Sequence, residues 1–451
     1  MRLHKNLLQC SQEDGLATRH RWFRKLATLD EILAESLVDK SESWASLSHF
    51  LLGERERSSL IPGFGMLGSR NAESKLRRER SMPPRQISQH ASENPSFTFM
   101  DLFAGIGGFH LALSDVGGRC VFACERDEAA RLTYAMNFGL IPYSDIRKFT
   151  RNESGEAKRI SEIRKLIPYA DIVAAGFPCQ PFSLAGVSSR NFHGLDHGLK
   201  CDSQGTLFED IILVARAKRP LALFLENVRN LVTHDHGRTI EVIRSQIEAA
   251  GYTIFPDWRT TGKNWGIVDS NSVVGQRRKR IYLVCVRNDY LRTFPKQSRS
   301  FIFPDFPVVS GRYSLRQAIE SDPTSNRIKF EKYSISKKLY RSHLARDRRH
   351  RARNNGFSTR VISNLDLPSP TLVARYYKDG KDCLIPHSRK REAPPRMLTP
   401  QECAYLQTFP KTFWIHPSKT AAYKQFGNAV TVEVVRRIGE RLVGFLFSDS
   451  K

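Results

Sequence analysis

The stretch FMDLFAGIGGFHLAL, Phe99–Leu113, decides the reading of this 451-residue chain. An apolar run ends in Phe103-Ala-Gly105-Ile-Gly107-Gly108, and apolar residues then recur at helical spacing. Strand, glycine turn and helix in that order open a parallel α/β fold, and the glycines let backbone approach a ligand where a Cβ would clash. Outward from this unit, short apolar runs at 97–103, 120–124, 171–175, 221–225 and 280–286 alternate with helical patterns at 108–116, 128–137, 157–166, 207–217 and 239–249. The alternation predicts a parallel sheet with crossover helices, an α/β, Rossmann-like domain accompanied by a smaller one.

Four segments follow from the changes in pattern. Residues 1–95 form an extension, with a helix-like stretch at 26–37 and then a Ser-, Arg- and Pro-rich linker. Residues 96–287 carry the sheet. Over 288–390 the periodicity fades and Arg, Lys, Pro and Ser dominate, as in an irregular domain devoted to contact. Residues 391–451 regain helical periodicity at 399–406 and 431–445, and are expected to close back onto the sheet domain.

Seventy-one Lys and Arg against 46 Asp and Glu leave a formal charge of +25, which calls for a polyanionic partner. Charge alone leaves DNA, RNA and anionic lipid open. No run approaches the about 18 apolar residues of a membrane span, and the start MRLHKNLLQCSQEDG has no apolar core before charge returns. A soluble, cytoplasmic protein with no membrane partner is expected. The eight cysteines form no Cys-x-x-Cys pair and no zinc-finger spacing with His, so neither structural metal nor a disulfide framework is expected.

Four strand ends and one strand start gather the residues able to do chemistry. The FAGIGG turn lacks the full G-x-G-x-x-G pattern, which favours an adenosyl ligand over a nicotinamide one. Glu125 ends the next strand, where a carboxylate can accept from two ribose hydroxyls, and Asp145 can meet an adenine amino group. A plain glycine turn with Glu125 at a helix start fits the same residues. The run Asp171-Ile-Val-Ala-Ala-Gly-Phe-Pro178-Cys179-Gln180-Pro181 delivers a thiol into a loop at the ligand-binding edge. Two flanking prolines argue against ordinary core packing for it, and nearby cations or amides can lower a thiol's pKa toward the nucleophilic thiolate. The run 221–225 ends in Glu226-Asn227-Val228, and the run 280–286 is preceded by Gln276 and four consecutive cations, 277–280, suited to clamping phosphate.

The order FAGIGG, GFPCQPFS, ENV, QRRKR, RMLTPQECAYLQTFP and QFGNAV across 97–446 resembles the DNA cytosine-5 methyltransferases. AGFPCQPFSLAGVS, CDSQGTLFEDI, RARNNGF and ARYYKDG resemble the Dcm and EcoRII-type methylases in particular. The resemblance implies an S-adenosylmethionine-dependent methyltransferase domain with a smaller target-recognition domain, and S-adenosylhomocysteine as a product. It implies catalytic roles for Cys179, Glu226, Arg278 and Arg280. It implies cofactor contacts by Phe103, Gly105, Gly107, Glu125, Asp145, Pro178, Leu207 and Asn428. For DNA contact it points to Gln180, Ser183, Gln276, Arg353, Asn355 and Phe357. Two departures stand out: Arg126 replaces an aromatic residue common after the acidic one, and Asn354 stands where the related pattern has glycine.

The chemistry so implied begins with a Cys179 thiolate adding to C6 of a cytosine flipped from the duplex, which activates C5 toward the methyl group. The basic region 288–390, including RSHLARDRRHRARNNGFSTR, is expected to choose the site, and its resemblance implies a CCWGG-like sequence. Double-stranded DNA is the expected partner of a monomer acting at the nucleoid, with any cognate restriction endonuclease working separately. Two rivals remain: a transfer-RNA cytosine-5 methyltransferase of the same fold, and a non-catalytic DNA-binding regulator.

Overall fold

The computed structural model describes residues 95–178, 206–257, 266–294, 300–354, 358–387 and 393–447. The sheet contains β1 (Phe97–Leu102), β2 (Gly118–Cys124), β3 (Ile172–Gly176), β4 (Ala222–Val228), β5 (Tyr252–Phe255), β6 (Ile267–Asp269) and β7 (Lys279–Arg287). Its order is β2-β1-β3-β4-β7-β5, with β6 also on β7. β1 through β4 pair in parallel, connected by helices α1 (Gly108–Asp115), α2 (Glu128–Phe138), α3 (Ile160–Leu166) and α4 (Thr206–Lys218). A further helix, α5 (Arg238–Ala249), leads into β5.

The expected all-parallel sheet is corrected at one edge, because β7 runs antiparallel to β4, β5 and β6. Only nine residues join β6 to β7, with a single 3-10 turn at Ser270–Ser272. A parallel return needs a crossover of a dozen residues or more. β5 and β6, at four and three residues, are too short for their alternation to register in the sequence.

Both faces of the sheet are covered. On β4, Ala222 and Phe224 enter one core while Leu223 and Leu225 enter the other; on β7, Tyr282, Val284 and Val286 oppose Ile281, Leu283 and Cys285. Burial on both sides explains why these strands read as unbroken apolar runs. The order reverses at β1, with β2 on one side and β3 on the other, so the loops after β1 and β3 border the crevice where open α/β sheets take ligands.

Beyond the sheet lie α6 (Leu315–Ser321), α7 (Asn326–Tyr333) and α8 (Lys337–Ala352), then α9 (Pro400–Leu406), α10 (Lys419–Asn428) and α11 (Val432–Phe447). α8 is more regular than its sequence suggests. Its buried positions are the polar pair His343 and Asp347, four residues apart, so no apolar stripe betrays the helix. α11 packs on α1, and Phe447 stacks on Phe97 at 5.9 Å, which returns the C-terminal helix to the first strand.

A buried ionic cluster fastens this outer region. Arg396 and Glu402, both fully buried, form two hydrogen bonds of 2.7 and 2.9 Å. The Lys329 ammonium stands 3.2 Å from Glu402 and donates to the carbonyls of Ile319 and Asp322. Thr399 caps α9 reciprocally with Glu402 and donates to Asp322 at 2.6 Å. Among the described residues no helix is long and apolar enough to cross a membrane.

Candidate active site

The turn after β1 is held open by backbone conformations that side chains seldom adopt. Phe103, Gly105 and Gly107 have φ of 56°, 55° and 87°. A Cβ on Gly107 would lie 2.1 Å from Phe138, and one on Gly108 would lie 2.5 Å from Val430, so these two glycines serve close packing. Gly105 differs: a Cβ there would point into space with no atom within 4 Å. Its amide donates to Glu125 Oε2 at 2.8 Å, and Asp127 donates to Oε1 at 2.6 Å. Burial pushes the Glu125 carboxyl above its ordinary range, while the Asp127 and Gly105 amides pull it back.

Below the turn is a polar layer that sequence reading missed. Burial, reinforced by the charge of Glu125, pushes the Asp101 carboxyl well up. Desolvation lowers His110 to about 3, keeping it neutral, and its Nδ1 sits 2.6 Å from the Tyr134 hydroxyl. Asp101 stands four positions before Gly105 and His110 two after Gly108, but their convergence with Tyr134 is visible only in three dimensions. Asp145 engages Arg147, accepting from its amide at 3.0 Å and its guanidinium at 3.1 Å.

β3 leads to the loop bearing Pro178, which is half-buried; Cys179, Gln180 and Ser183 lie outside the described residues. Asn227 braces the strand end through a 3.3 Å bond from Nδ2 to the Phe177 carbonyl. Phe177 also packs on Phe208 of α4 at 5.3 Å, next to the half-buried Leu207. Gly176 is registered opposite Glu226, whose carboxylate would be 3.6 Å from a Cβ at that glycine. Pro178 therefore stands two positions beyond the residue registered with Glu226.

Glu226 and Arg280 form the charged pair of this edge. In the β4–β7 register Glu226 opposes Tyr282 and Arg280 opposes Val228, so the two are diagonal neighbours on one face. Arg280 Nε lies 3.1 Å from Glu226 Oε1, and Glu226 is only 8% exposed. Burial raises the Glu226 carboxyl, with Arg280 and then Arg278 acting against it.

Gln276, expected at the DNA, and Arg278, expected in catalysis, both have buried side chains. Gln276 is fully buried, donating to Leu406 O at 2.8 Å and accepting from the Leu372 amide at 2.8 Å. Arg278, 1% exposed, donates to the carbonyls of Leu372, Gly427 and Ala429. Alternation along the chain turns both inward, where they fasten three segments together. Asn428 is exposed at the end of α10, and Val430, two residues on, packs against Gly108 near the glycine turn. Arg353 is exposed at the end of α8, while Asn355 and Phe357 lie outside the described residues. Asn354 takes φ of 51°, the left-handed conformation that glycine adopts freely and asparagine tolerates, so the departure at this position keeps a glycine-like turn.

Comparison with known proteins agrees with this geometry. The family model for C-5 cytosine-specific DNA methylase matches residues 97–444. The DNA-cytosine methyltransferase of Escherichia coli K12 is 36% identical over 376 residues, covering 77% of each chain. Type II methyltransferase M.NlaX of Neisseria lactamica is 37% identical over 358 residues, covering 78% of this chain and 98% of its own. Among solved structures, S. pombe Dnmt2 methyltransferase superposes with a TM-score of 0.52 at 15% identity, over 79% of this chain and 99% of that one. A putative DNA modification methyltransferase from an E. coli prophage gives 0.51 at 18% identity, over 77% and 99%.

Proposed function

The chain belongs to the C-5 cytosine-specific DNA methylases and is a DNA cytosine-5 methyltransferase, and from that premise we propose that Cys179 attacks a flipped cytosine opposite the Glu226–Arg280 pair. The observation that carries this reading is the placement of a buried carboxylate and its arginine at the sheet edge where β3 ends and runs on to Phe177 and Pro178.

The family is S-adenosylmethionine-dependent, and the residues beside the glycine turn fit that cofactor. Open space in front of Gly105 and a carboxylate fixed by two amides suit an adenosyl group with ribose hydroxyls. Phe103, Gly105, Gly107, Glu125, Asp145, Pro178, Leu207 and Asn428 are assigned to holding it. When bound, it supplies a methyl group on a sulfonium, an electrophile for carbon.

The protein's own part is to make C5 nucleophilic. The Cys179 thiolate forms a bond to C6, and electron density moves to C5 and N3. Glu226 holds a proton at N3, and Arg280 stabilises the charge that develops near it. With the cofactor bound, C5 would take the methyl group and leave S-adenosylhomocysteine; the C5 proton then passes to water, and the S–C6 bond breaks to restore the aromatic ring and the Cys179 thiolate. The base must leave the stack for any of this, at a cost of a few kcal/mol. Gln180 and Ser183 are assigned to the DNA beside it.

Residues 96–287 and 391–451 form the catalytic unit in this reading, and 288–390 the recognition unit, with Arg353, Asn355 and Phe357 in a CCWGG-like site. We further propose a monomer acting on the nucleoid in the cytoplasm, with any restriction endonuclease as a separate protein. Transfer of labelled methyl from S-adenosylmethionine to duplex DNA, followed by bisulfite sequencing, tests substrate and site together. Label on transfer RNA alone would overturn this reading.

The Glu226 role also makes a prediction about pH. A carboxyl raised by burial keeps its proton to higher pH than free glutamate, and losing it removes the donor to N3. The single-turnover rate should fall on the alkaline side as Glu226 ionises. Glu226→Gln should lower the rate by about 10²–10⁴-fold and abolish that limb. An unchanged pH profile in the variant would remove Glu226 from proton transfer.

A further inference from the structure

The alternation that buries Gln276 and Arg278 turns Arg277 and Lys279 outward, and both are exposed. Two adjoining hollows of about 520 and 830 Å³ share Arg277, Pro368, Thr371 and Val373 as walls, so they form one trough between the sheet domain and the 358–387 segment. Arg229, Lys279 and Arg280 line one end, and Arg360 and Lys381 the other, with Arg277 common to both. Three carboxylates also line it, each already engaged. Asp366 pairs with Arg316 at 2.6 Å, Asp269 accepts from the Arg278 amide at 3.0 Å, and Asp382 faces Arg360 at 3.8 Å.

Arg280 is occupied by Glu226, whereas Arg277 and Lys279 have no ion-pair partner among the described residues. Arg277 nevertheless stands on fixed backbone. Its amide donates to Ser369 O at 2.8 Å, and its carbonyl accepts from Thr371 Oγ1 at 2.6 Å. Two residues before it, a Cβ on Gly275 would lie 2.1 Å from Ser314 O, so the chain cannot shift there. Arg278 locks the same strand from inside through three carbonyls. Two uncompensated cations on a rigid wall of an open trough make a preorganised anion seat, and they stand one residue either side of the group that anchors the strand.

We propose that Arg277 and Lys279 seat a backbone phosphate of duplex DNA in this trough, next to the Glu226–Arg280 pair. The proposal rests on the assignment of the chain as acting on duplex DNA, and it transfers the DNA contact from the inward positions of the basic run to the outward ones.

A phosphate contact has a signature that a structural role lacks, because neutralising each phosphate releases counterions and contributes about 0.9 to the slope of log affinity against log salt. Binding of the full chain to a fluorescent duplex, from about 50 to 200 mM KCl, measures that slope. Arg277→Ala should flatten it by about one and weaken binding alike for specific and scrambled duplexes. Lys279→Ala should act in the same direction, and Arg277→Lys should restore most of the slope. Lys165→Ala, on exposed α3 outside the trough, is the charge-matched control and should leave it unchanged. A wild-type slope in Arg277→Ala, or an equal loss in Lys165→Ala, would overturn the proposal while wild-type methylation of DNA still upheld the assigned activity. A wild-type chain without salt-dependent duplex binding would overturn both.

Discussion

Cys179→Ala is expected to lower single-turnover methyl transfer to duplex DNA by at least about 10⁴-fold, with duplex affinity changed by no more than about threefold. The size follows from the chemistry. C5 of cytosine is a poor nucleophile while the ring is aromatic, and only addition of a group at C6 delivers electron density to it. Alanine has nothing to add. Cys179→Ser should fail nearly as fully, since a serine hydroxyl holds its proton near neutral pH where a thiol is partly ionised. Affinity should persist because phosphate contacts supply most of the affinity of proteins for duplex DNA. Labelled-methyl transfer and duplex binding on the same preparations separate the two quantities. Activity within about tenfold of wild type in the alanine variant would remove Cys179 from the chemistry.

The second large effect concerns stability. Glu402→Ala should destabilise the chain by about 3–5 kcal/mol, because it strands Arg396 and Lys329 as buried cations. The loss of the reciprocal cap on α9 adds about 1 kcal/mol. Breaking such a cluster costs more than it contributes as a whole, since the partners stay desolvated. Glu331→Ala is the contrast: its partner Arg327 is exposed, and such a pair is worth about 0–1 kcal/mol. Denaturant midpoints for the two variants should differ widely. Equal midpoints would mean that the cluster is already hydrated in the folded protein.

Much of the fold was legible because the relevant residues carry short, local signals. The glycine turn at 105–108 and the apolar runs of β1, β3, β4 and β7 announce themselves within a few positions. β5 and β6 did not, being too short to show a period, and the antiparallel direction of β7 depends on a loop length whose meaning requires β6 to be known. α8 was hidden because its buried residues, His343 and Asp347, are polar.

The site divides in a similar way. Glu226 and Arg280 are both visible as charged residues at strand ends, and the register then shows them as one pair. The inward turn of Gln276 and Arg278 is not legible in a run of polar and basic residues, because only the β-like alternation at its start sends every second side chain inward. Their burial is compensated by backbone carbonyls from Leu372, Leu406, Gly427 and Ala429, partners up to 151 residues away that no local pattern reveals. The brace from Asn227 to Phe177 spans 50 residues and was hidden for the same reason.

The most direct measurement is to incubate the protein with S-adenosylmethionine and a duplex whose target cytosine carries fluorine at C5, then to digest and weigh the peptides. Fluorine cannot leave as the C5 proton does, so the sulfur–carbon bond should persist and the peptide containing Cys179 should carry the methylated, fluorinated base. An unmodified Cys179 peptide from a preparation that methylates ordinary duplex DNA, or an adduct on another cysteine, would contradict the account.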